Sequence, residues 1–373
     1  MKAIQSEGEY LVHLLYCAVH KTAPEPIPDG LSWENVFDCA VRHEVTAFAF
    51  TAVQRLAQKP EPQLLSRWQE KYYQSITRST TQMRARDQIV AAFRAHGICT
   101  MEVQGTVVKR YYPAENLRMM SDIDLIIPPD KLTEASDILR EMGYAVEEVF
   151  GSEVDAQKGL VFVEVHTSFF SKDKEEFASM REPFSYVTVR EDCTVEVPDT
   201  VFYLYNMLHC LKHYRYQGMG ISRVLDIYYL KKALQDTVDS ASIDALLTQY
   251  DLKNDLLDLY ALADFWFDGI EPQRELSDVA EEILSANRHG TAELELVHQL
   301  RRGKEKNGRF VRLRNFCRRI FPTKEYMYFG YPFCARHKLP IVLCWFYRVF
   351  SILFSVRKLR RFAAYLRQLA KSK

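Results

Sequence analysis

The chain has 373 residues, of which 47% are hydrophobic and 26% charged, with 14 Gly and 14 Pro. This composition is typical of globular domains and excludes disordered and fibrous classes. The formal net charge is zero, but residues 301–373 hold 20 Lys and Arg against only Glu305 and Glu325, so this stretch carries +18 and the first 300 residues carry −18. We expect the basic end to contact an anionic partner or the acidic remainder of the chain.

The eight cysteines are scattered and form no C-x-x-C pair. This spacing predicts neither a disulfide scaffold nor a structural zinc site. The N-terminal stretch MKAIQSEGEY lacks an apolar run preceded by basic residues, so we expect no secretory signal. The prediction is a cytoplasmic protein in which most cysteines are small, reduced, buried hydrophobic residues.

The first predicted domain is a helical region at residues 1–96. Apolar residues recur at three- and four-residue spacing over 32–57, with Ser32 in the N-cap position. The same pattern runs through 62–96 and is predicted to end at Gly97.

An α/β core is predicted at residues 97–197, because the pattern changes there to short apolar runs separated by helical segments. Asp130 is placed to cap the second helix of this core and Gly143 to end it. The predicted strands are 98–103, 123–127, 144–150 and 159–167, and the predicted helices are 106–112 and 130–142.

The rest of the chain is predicted as a helical domain at 198–300 and a basic, aromatic-rich helical tail at 301–373. Within the tail, residues 339–356 include a single charge, Arg348, and approach the length of a membrane span. Arg348 near the centre and Pro340 near the start argue against a span, so we predict helices packed on the body of the protein. The alternatives to this packing are contact with an anionic lipid surface and contact with RNA.

Asp122 and Asp124 are the most informative residues of the predicted core. Residues two apart in a strand point to the same face, so the two carboxylates project together. Carboxylates this close repel each other unless a cation lies between them, and Mg²⁺ prefers oxygen ligands that it shares with phosphates. The pair therefore predicts a Mg²⁺ (or Mn²⁺) site, with Glu164 of a neighbouring strand as third carboxylate. The alternative is a solvated strand end, which is what most D-x-D pairs are.

Gly105 and Thr106 predict a phosphate site beside this metal site. They follow a short strand and open a helix, where backbone N–H groups and a hydroxyl can face a phosphate. Lys109 and Arg118 flank this turn and are predicted to neutralise triphosphate charge, the alternative being solvated charges. Ser121 completes the predicted nucleotide-binding set.

These motifs resemble the nucleotidyltransferase superfamily typified by DNA polymerase β: a hydrophobic-Gly-Gly/Ser turn, then hydrophobic-Asp-hydrophobic-Asp, then a later acidic residue. More narrowly, the chain resembles a bacterial family of largely uncharacterised nucleotidyltransferases. It departs from that family at Gln104, where the family has Lys, and from the superfamily at Thr106, where a second small residue is usual. The residues that carry the resemblance are Gly105, Tyr112-Pro113, Arg118, Asp122-Ile123-Asp124-Leu125 and Glu164-Val165-His166 in the core, with Trp33, His43, His209, His213, Arg223, Asp226, Phe321-Pro322, Glu325-Tyr326 and Tyr331-Pro332 outside it.

The resemblance implies an α+β fold, in which a small mixed-sheet nucleotidyltransferase core is flanked by N- and C-terminal helical regions. It implies transfer of a nucleoside monophosphate from an NTP to an acceptor by a two-metal mechanism. Asp122 and Asp124 would hold the Mg²⁺ of the triphosphate, and Glu164 would share a second ion and help to deprotonate the attacking hydroxyl. The acceptor, whether a small molecule, sugar, peptide or macromolecule, is left open.

Several histidines and charged residues are predicted as supporting or substrate-binding groups. His166 shares the strand face of Glu164 and is predicted to orient that carboxylate or to touch the nucleotide. His209 and His213, one helical turn apart, lack the glutamate of the H-E-x-x-H arrangement, and we predict that they face the cleft beside Lys212 or simply pack.

Arg223 and Asp226 are predicted to form an ion pair, either exposed or buried behind the site. Two functions other than catalysis stay open at this point. One is a non-catalytic nucleotide-binding or assembly module, which Gln104 favours. The other is a peripheral membrane protein that binds anions through residues 301–373.

Overall fold

The computed structural model describes residues 4–149, 153–170, 177, 180–286, 327, 334, 337 and 339–353. It divides into two compact units, the first made of Met1–Tyr214 with Gly218–Gly290 and the second of Arg215–Gln217 with Thr291–Lys373. The site described below is built from the first unit.

Four helices precede the sheet. The predicted helix 32–57 is two helices, because Glu44 adopts a left-handed backbone conformation with φ of 55°. Ser32 is at an N-cap position as predicted, but its side chain makes no capping hydrogen bond. The helices are α1 (Glu7–His20), α2 (Trp33–Arg42), α3 (Thr46–Val53) and α4 (Pro62–Ala95).

The central sheet is mixed and five-stranded, in the order β1-β2-β5-β4-β3. Strands β2 and β5 pair in parallel, whereas the other three pairings are antiparallel. The short helix α5 (Gly105–Val108) follows β1, and α6 (Leu132–Glu141) joins β2 to β3. The strands are β1 (Met101–Glu102), β2 (Ile123–Ile126), β3 (Ala145–Val149), β4 (Glu153–Lys158) and β5 (Val161–His166).

One face of the sheet forms the hydrophobic core with α4 and α6. Alternation along β2 and β5 places Ile123, Leu125, Val163 and Val165 on this face, all at most 1% exposed. The polar residues between them, beginning with Asp124, therefore project from the opposite face. Burying one face fixes the register, and with it the alignment of the polar side chains across the strands.

Three details differ from the expectations. Asp130 does not cap α6, because a short 3-10 turn at Pro129–Lys131 comes first and α6 begins at Leu132. Strand β4 was not predicted. Cys99 and Cys193 form a disulfide, which ties the residues before β1 to the turn of a small hairpin, β6 (Thr188–Val189) and β7 (Val195–Glu196).

Helices form the rest of the described chain. The second unit contains α12, which exposes apolar side chains such as Val342 and Phe346. No helix among the described residues is long and apolar enough to cross a membrane. Most of the predicted tail, 301–373, lies outside the described residues. The helices are α7 (Asp199–Tyr216), α8 (Ile221–Leu234), α9 (Ser240–Gln249), α10 (Lys253–Asp268), α11 (Ser277–Ser285) and α12 (Ile341–Leu353).

Candidate active site

The parallel pairing of β2 with β5 brings three potential ligand groups together. Asp124 is directly opposite Glu164, and Ile126 opposite His166, so all three polar side chains share one face. His166 Nε2 lies 3.6 Å from Asp124 Oδ1 and 3.4 Å from Glu164 Oε2. One potential ligand atom from each of Asp124, Glu164 and His166 lies within 4.8 Å of the other two. Glu164 is therefore where the sequence predicted it, beside Asp124.

Strand β4 adds two carboxylates that the sequence analysis missed. Glu153 pairs with His166 in the ladder, and its Oε1 lies 3.5 Å from His166 Nδ1. Asp155 is opposite Glu164. Burial and the nearby carboxylates of Glu164 and Glu153 raise the pKa of Asp155 to about 6. The usable signal was the alternation in EVDAQK, where Val154 and Ala156 are buried between the acidic residues.

His166 has a carboxylate beside each ring nitrogen. Burial alone would lower the pKa of His166, but hydrogen bonds with Asp124, Glu153 and Glu164 raise it well above its ordinary value. The same contact with His166 lowers the pKa of Glu153. The imidazole thus offsets part of the negative charge gathered on this face of the sheet.

These groups line a cavity of about 380 Å³ between the polar face of the sheet and helices α7 and α8. Asp122, just before β2, lines the same cavity, although it does not belong to the compact group of Asp124, Glu164 and His166. The lining residues are Gln104, Asp122, Asp124, Glu153, Glu164, His166, Ser168, Phe169, Phe170, Tyr205, His209, Lys212, His213 and Arg223.

The helical wall carries a chain of hydrogen bonds that sets two histidine tautomers. Arg223 Nη1 lies 3.3 Å from His209 Nδ1, and an arginine can only donate, so His209 carries its proton on Nε2. That Nε2 is 3.2 Å from His213 Nε2, which therefore accepts. Burial, with the positive charges of Lys212 and Arg223, lowers the pKa of His209 well below its ordinary value and keeps it neutral. Both histidines line the cavity together with Lys212, which is the first of the two alternatives expected from the sequence.

Gln104 is held in an unusual conformation over the carboxylates. Its φ is 51° and its ψ −126°, a region that residues other than glycine rarely adopt. Its Nε2 donates to Asp124 Oδ1 at 3.0 Å, and its side chain also hydrogen bonds with Tyr205. Tyr205 in turn stacks on Phe169 with ring centroids 4.4 Å apart. Position 104, where the resembling family has Lys, is therefore occupied here by an amide that orients Asp124.

The expected pair of Arg223 with Asp226 is wrong, because Asp226 binds Arg118. The Nε and Nη2 atoms of Arg118 donate to Oδ1 and Oδ2 of Asp226 at 3.1 and 2.8 Å, and the Tyr112 hydroxyl donates to Oδ1 at 2.7 Å. Burial raises the pKa of Asp226, but Arg118 outweighs it and holds that pKa below its usual range. This buried network joins the segment before β2 to α8.

The other residues of the predicted phosphate site also lie in the interior. Thr106 is fully buried and donates its hydroxyl to the Val103 carbonyl at 2.8 Å. Lys109 is fully buried, its Nζ donates to Ser79 Oγ at 2.7 Å, and burial lowers its pKa to about 8. Ser121 Oγ is buried, and in the described part of the chain it has no hydrogen-bond partner.

Gly105 lies beneath the same network. A Cβ at this position would lie 2.4 Å from Arg118 Nη1, so the residue is glycine because a guanidinium crosses it. Gly105, Thr106, Lys109, Arg118 and Ser121 are absent from the lining of the 380 Å³ cavity. Phosphate binding by these five residues stays a prediction, and their burial argues against it.

The donor set fits a hard divalent cation. Carboxylate oxygens are the ligands that Mg²⁺ and Mn²⁺ take in proteins, and Asp122, Asp124 and Glu164 supply them in one cavity. The carboxylates of Asp124 and Glu164 share one face of the sheet, and a bound cation relieves the repulsion between them. The arrangement can therefore bind a metal together with an anionic substrate.

The fold and this site define an α+β protein of the nucleotidyltransferase class. The model of a family described as uncharacterised nucleotidyltransferases matches residues 29–268, and the chain belongs to that family. This confirms the resemblance found from the sequence. No curated protein matches the chain.

Two similar solved structures share part of the chain with low identity. One is a solution structure of the antibiotic-resistance factor ANT(2'')-Ia, with a TM-score of 0.35 and 14% identity over 48% of this chain and 96% of that one. The other is a crystal structure of ANT(2'')-Ia in complex with adenylyl-2''-tobramycin, with a TM-score of 0.33 and 12% identity over 47% of this chain and 99% of that one.

Proposed function

We propose that this protein transfers a nucleoside monophosphate from an NTP to the hydroxyl of an acceptor and releases pyrophosphate. The observation that carries the proposal is the meeting of Asp122, Asp124 and Glu164 in one cavity, on the polar face of the sheet. Membership of the nucleotidyltransferase family supports the same reaction class.

The residues that would hold Mg²⁺ or Mn²⁺ are Asp122, Asp124 and Glu164. A bound divalent ion supplies charge neutralisation to the triphosphate and to the entering and leaving oxygens. Gln104 and His166 both contact Asp124 and keep its carboxylate aimed into the cavity.

In the proposed reaction, Glu164 accepts the proton of the acceptor hydroxyl. Its side chain is more exposed than that of Asp124, at 38% against 6%, so a substrate can reach it. The acceptor oxygen forms a bond to the α-phosphorus, the bond from that phosphorus to the bridging oxygen breaks, and the electron pair leaves with pyrophosphate. The hydroxyl proton passes to Glu164.

The proposal is tested by incubating the full chain with each labelled NTP, Mg²⁺ and a panel of acceptors while pyrophosphate release is measured. We expect release with at least one NTP, and complete loss when EDTA removes the metal. Asp124→Asn removes one ligand charge at constant size and should reduce the rate at least a hundredfold, the scale of losing a major electrostatic group.

The matched control is Asp137→Asn, which makes the same change on α6 at an exposed carboxylate that pairs with Arg140. This control should retain the wild-type rate. Pyrophosphate release that survives Asp124→Asn or EDTA would contradict the proposed site.

A further inference from the structure

Arg223 is a buried cation that forms no ion pair with a carboxylate of the described residues. Its side chain is on α8 in the wall of the 380 Å³ cavity, and the residue is 5% exposed. Within the described residues, the one hydrogen bond of its guanidinium joins Nη1 to the neutral His209, and Nε has no partner. Arg223 forms no ion pair within the described chain: none of the described carboxylate oxygens lies within 4.0 Å of its guanidinium nitrogens.

The nearest acidic residue along α8 is already committed. The charge of Arg223 contributes to lowering the pKa of Asp226, but the hydrogen bonds that Asp226 accepts come from Arg118, which donates two, and from Tyr112, which donates one. A guanidinium stays protonated in proteins, and burying it unpaired is costly. An arginine placed in this way indicates that an anionic group of a ligand completes the site.

The two walls of the cavity differ in charge. Asp122, Asp124 and Glu164 make the sheet side acidic, whereas Arg223 and Lys212 make the helical side basic. Lys212 is close enough to lower the pKa of both Glu153 and His209. A ligand that contacts both walls has to present bound cations to the acidic sheet side and anionic oxygens without cations to the basic helical side. A metal-bound polyphosphate has this property, and the planar fork of an arginine matches phosphate oxygens.

We infer that Arg223, with Lys212 beside it, binds the outer phosphates of the NTP and then the pyrophosphate that leaves. This inference rests on the proposed function and moves phosphate recognition from the buried Gly105–Arg118 region to the helical wall. It makes Arg223 a substrate-binding residue, and the unmet hydrogen-bonding capacity of its Nε is explained by the ligand.

The test measures binding of inorganic pyrophosphate, in the presence of Mg²⁺, to the full chain by calorimetry. Arg223→Met keeps the length and apolar stem but removes the charge, and should weaken pyrophosphate binding between tenfold and a hundredfold. Arg223→Lys retains the charge and should stay within about tenfold of the wild type. The control Arg86→Met removes another buried arginine, one that pairs with Asp87 and Glu102 outside the cavity, and should leave pyrophosphate affinity unchanged.

Melting temperatures separate a binding role from a structural one. Removing an unpaired buried charge should leave the ligand-free melting temperature of Arg223→Met at or above the wild-type value, whereas Arg86→Met should lower it. Unchanged pyrophosphate affinity in Arg223→Met would overturn the inference, as would an effect confined to the KM of the acceptor. Because pyrophosphate binding requires no turnover, an Arg223-dependent affinity in a protein that transfers no nucleotide would uphold the phosphate-binding role of Arg223 and reject the proposed reaction.

Discussion

A single arginine determines which residue can occupy position 105. The guanidinium of Arg118 lies over Gly105 and binds Asp226 through Nε and Nη2, and no side chain fits between Gly105 and Nη1. The glycine that looked like part of a phosphate loop is thus explained by the packing of a buried ion pair. The pairing of residues 118 and 226, which are 108 positions apart, leaves no local pattern from which it could have been predicted.

Gly105→Ala should therefore destabilise the protein. The new methyl group forces Arg118 to move and leaves the Asp226 carboxylate buried without its cation, a loss of about 3 kcal/mol in the free energy of unfolding. Urea denaturation measures this difference. Gly8→Ala is the control, since it makes the same change in the first turn of α1, where the nearest atom is the flexible end of Leu284 at 3.2 Å. Equal stability of Gly105→Ala and the wild type would show that the ion pair does not depend on this close approach.

At the scale of secondary-structure elements, strand alternation predicted much of the site. Asp124, Glu164 and His166 share one face because each follows the two-residue period of its strand, which is visible in the sequence, and Asp122 lines the same cavity from just before β2. The carboxylates of β4 were missed because four of its six residues are polar and only Val154 and Ala156 alternate between them as apolar residues. The break between α2 and α3 was missed because it depends on one left-handed residue, Glu44.

His43, at this break, connects three helices of the first unit. Its Nδ1 accepts a hydrogen bond from the Ile221 N–H at 3.3 Å, so Nε2 carries the proton and donates to the Leu284 carbonyl at 3.3 Å. Burial, with the charge of Arg42, lowers the pKa of His43 to about 4. The folded protein therefore needs the neutral imidazole.

The pH dependence of stability should report on His43. Its pKa is lower in the folded state than in the unfolded state, so the stability is complete above about pH 6.5 and is lost as the pH falls through about 4. We expect the wild type to lose about 3 kcal/mol relative to His43→Gln between pH 7 and pH 4. Urea titrations at each pH measure the difference, with His96→Gln, an exposed histidine at the end of α4, as control. If the difference in the free energy of unfolding between the wild type and His43→Gln stayed constant with pH, a neutral, buried His43 would be contradicted.

For the whole molecule, the family match covers residues 29–268 and thus contains the sheet and the helical wall of the cavity.

The expectation that most cysteines are buried thiols holds for Cys17, Cys39, Cys210, Cys334 and Cys344, whereas Cys99 and Cys193 pair over a separation of 94 residues. The +18 charge of residues 301–373 cannot be assigned to a surface of the structure, because most of these residues lie outside the described part. Packing of that tail and its contact with an anionic partner stay predictions.

The central claim is that the carboxylates of one cavity carry out nucleotidyl transfer, and Glu164→Gln tests it most directly. The variant keeps the size and hydrogen bonding of the side chain while removing the charge that accepts the proton, and it leaves Asp122 and Asp124 in place. Calorimetry of NTP binding, beside pyrophosphate release from the same preparation, gives the two quantities needed. We predict nucleotide affinity within about tenfold of the wild type, or roughly 1.4 kcal/mol, and turnover at least a hundredfold lower. Transfer at the wild-type rate in Glu164→Gln would contradict the account.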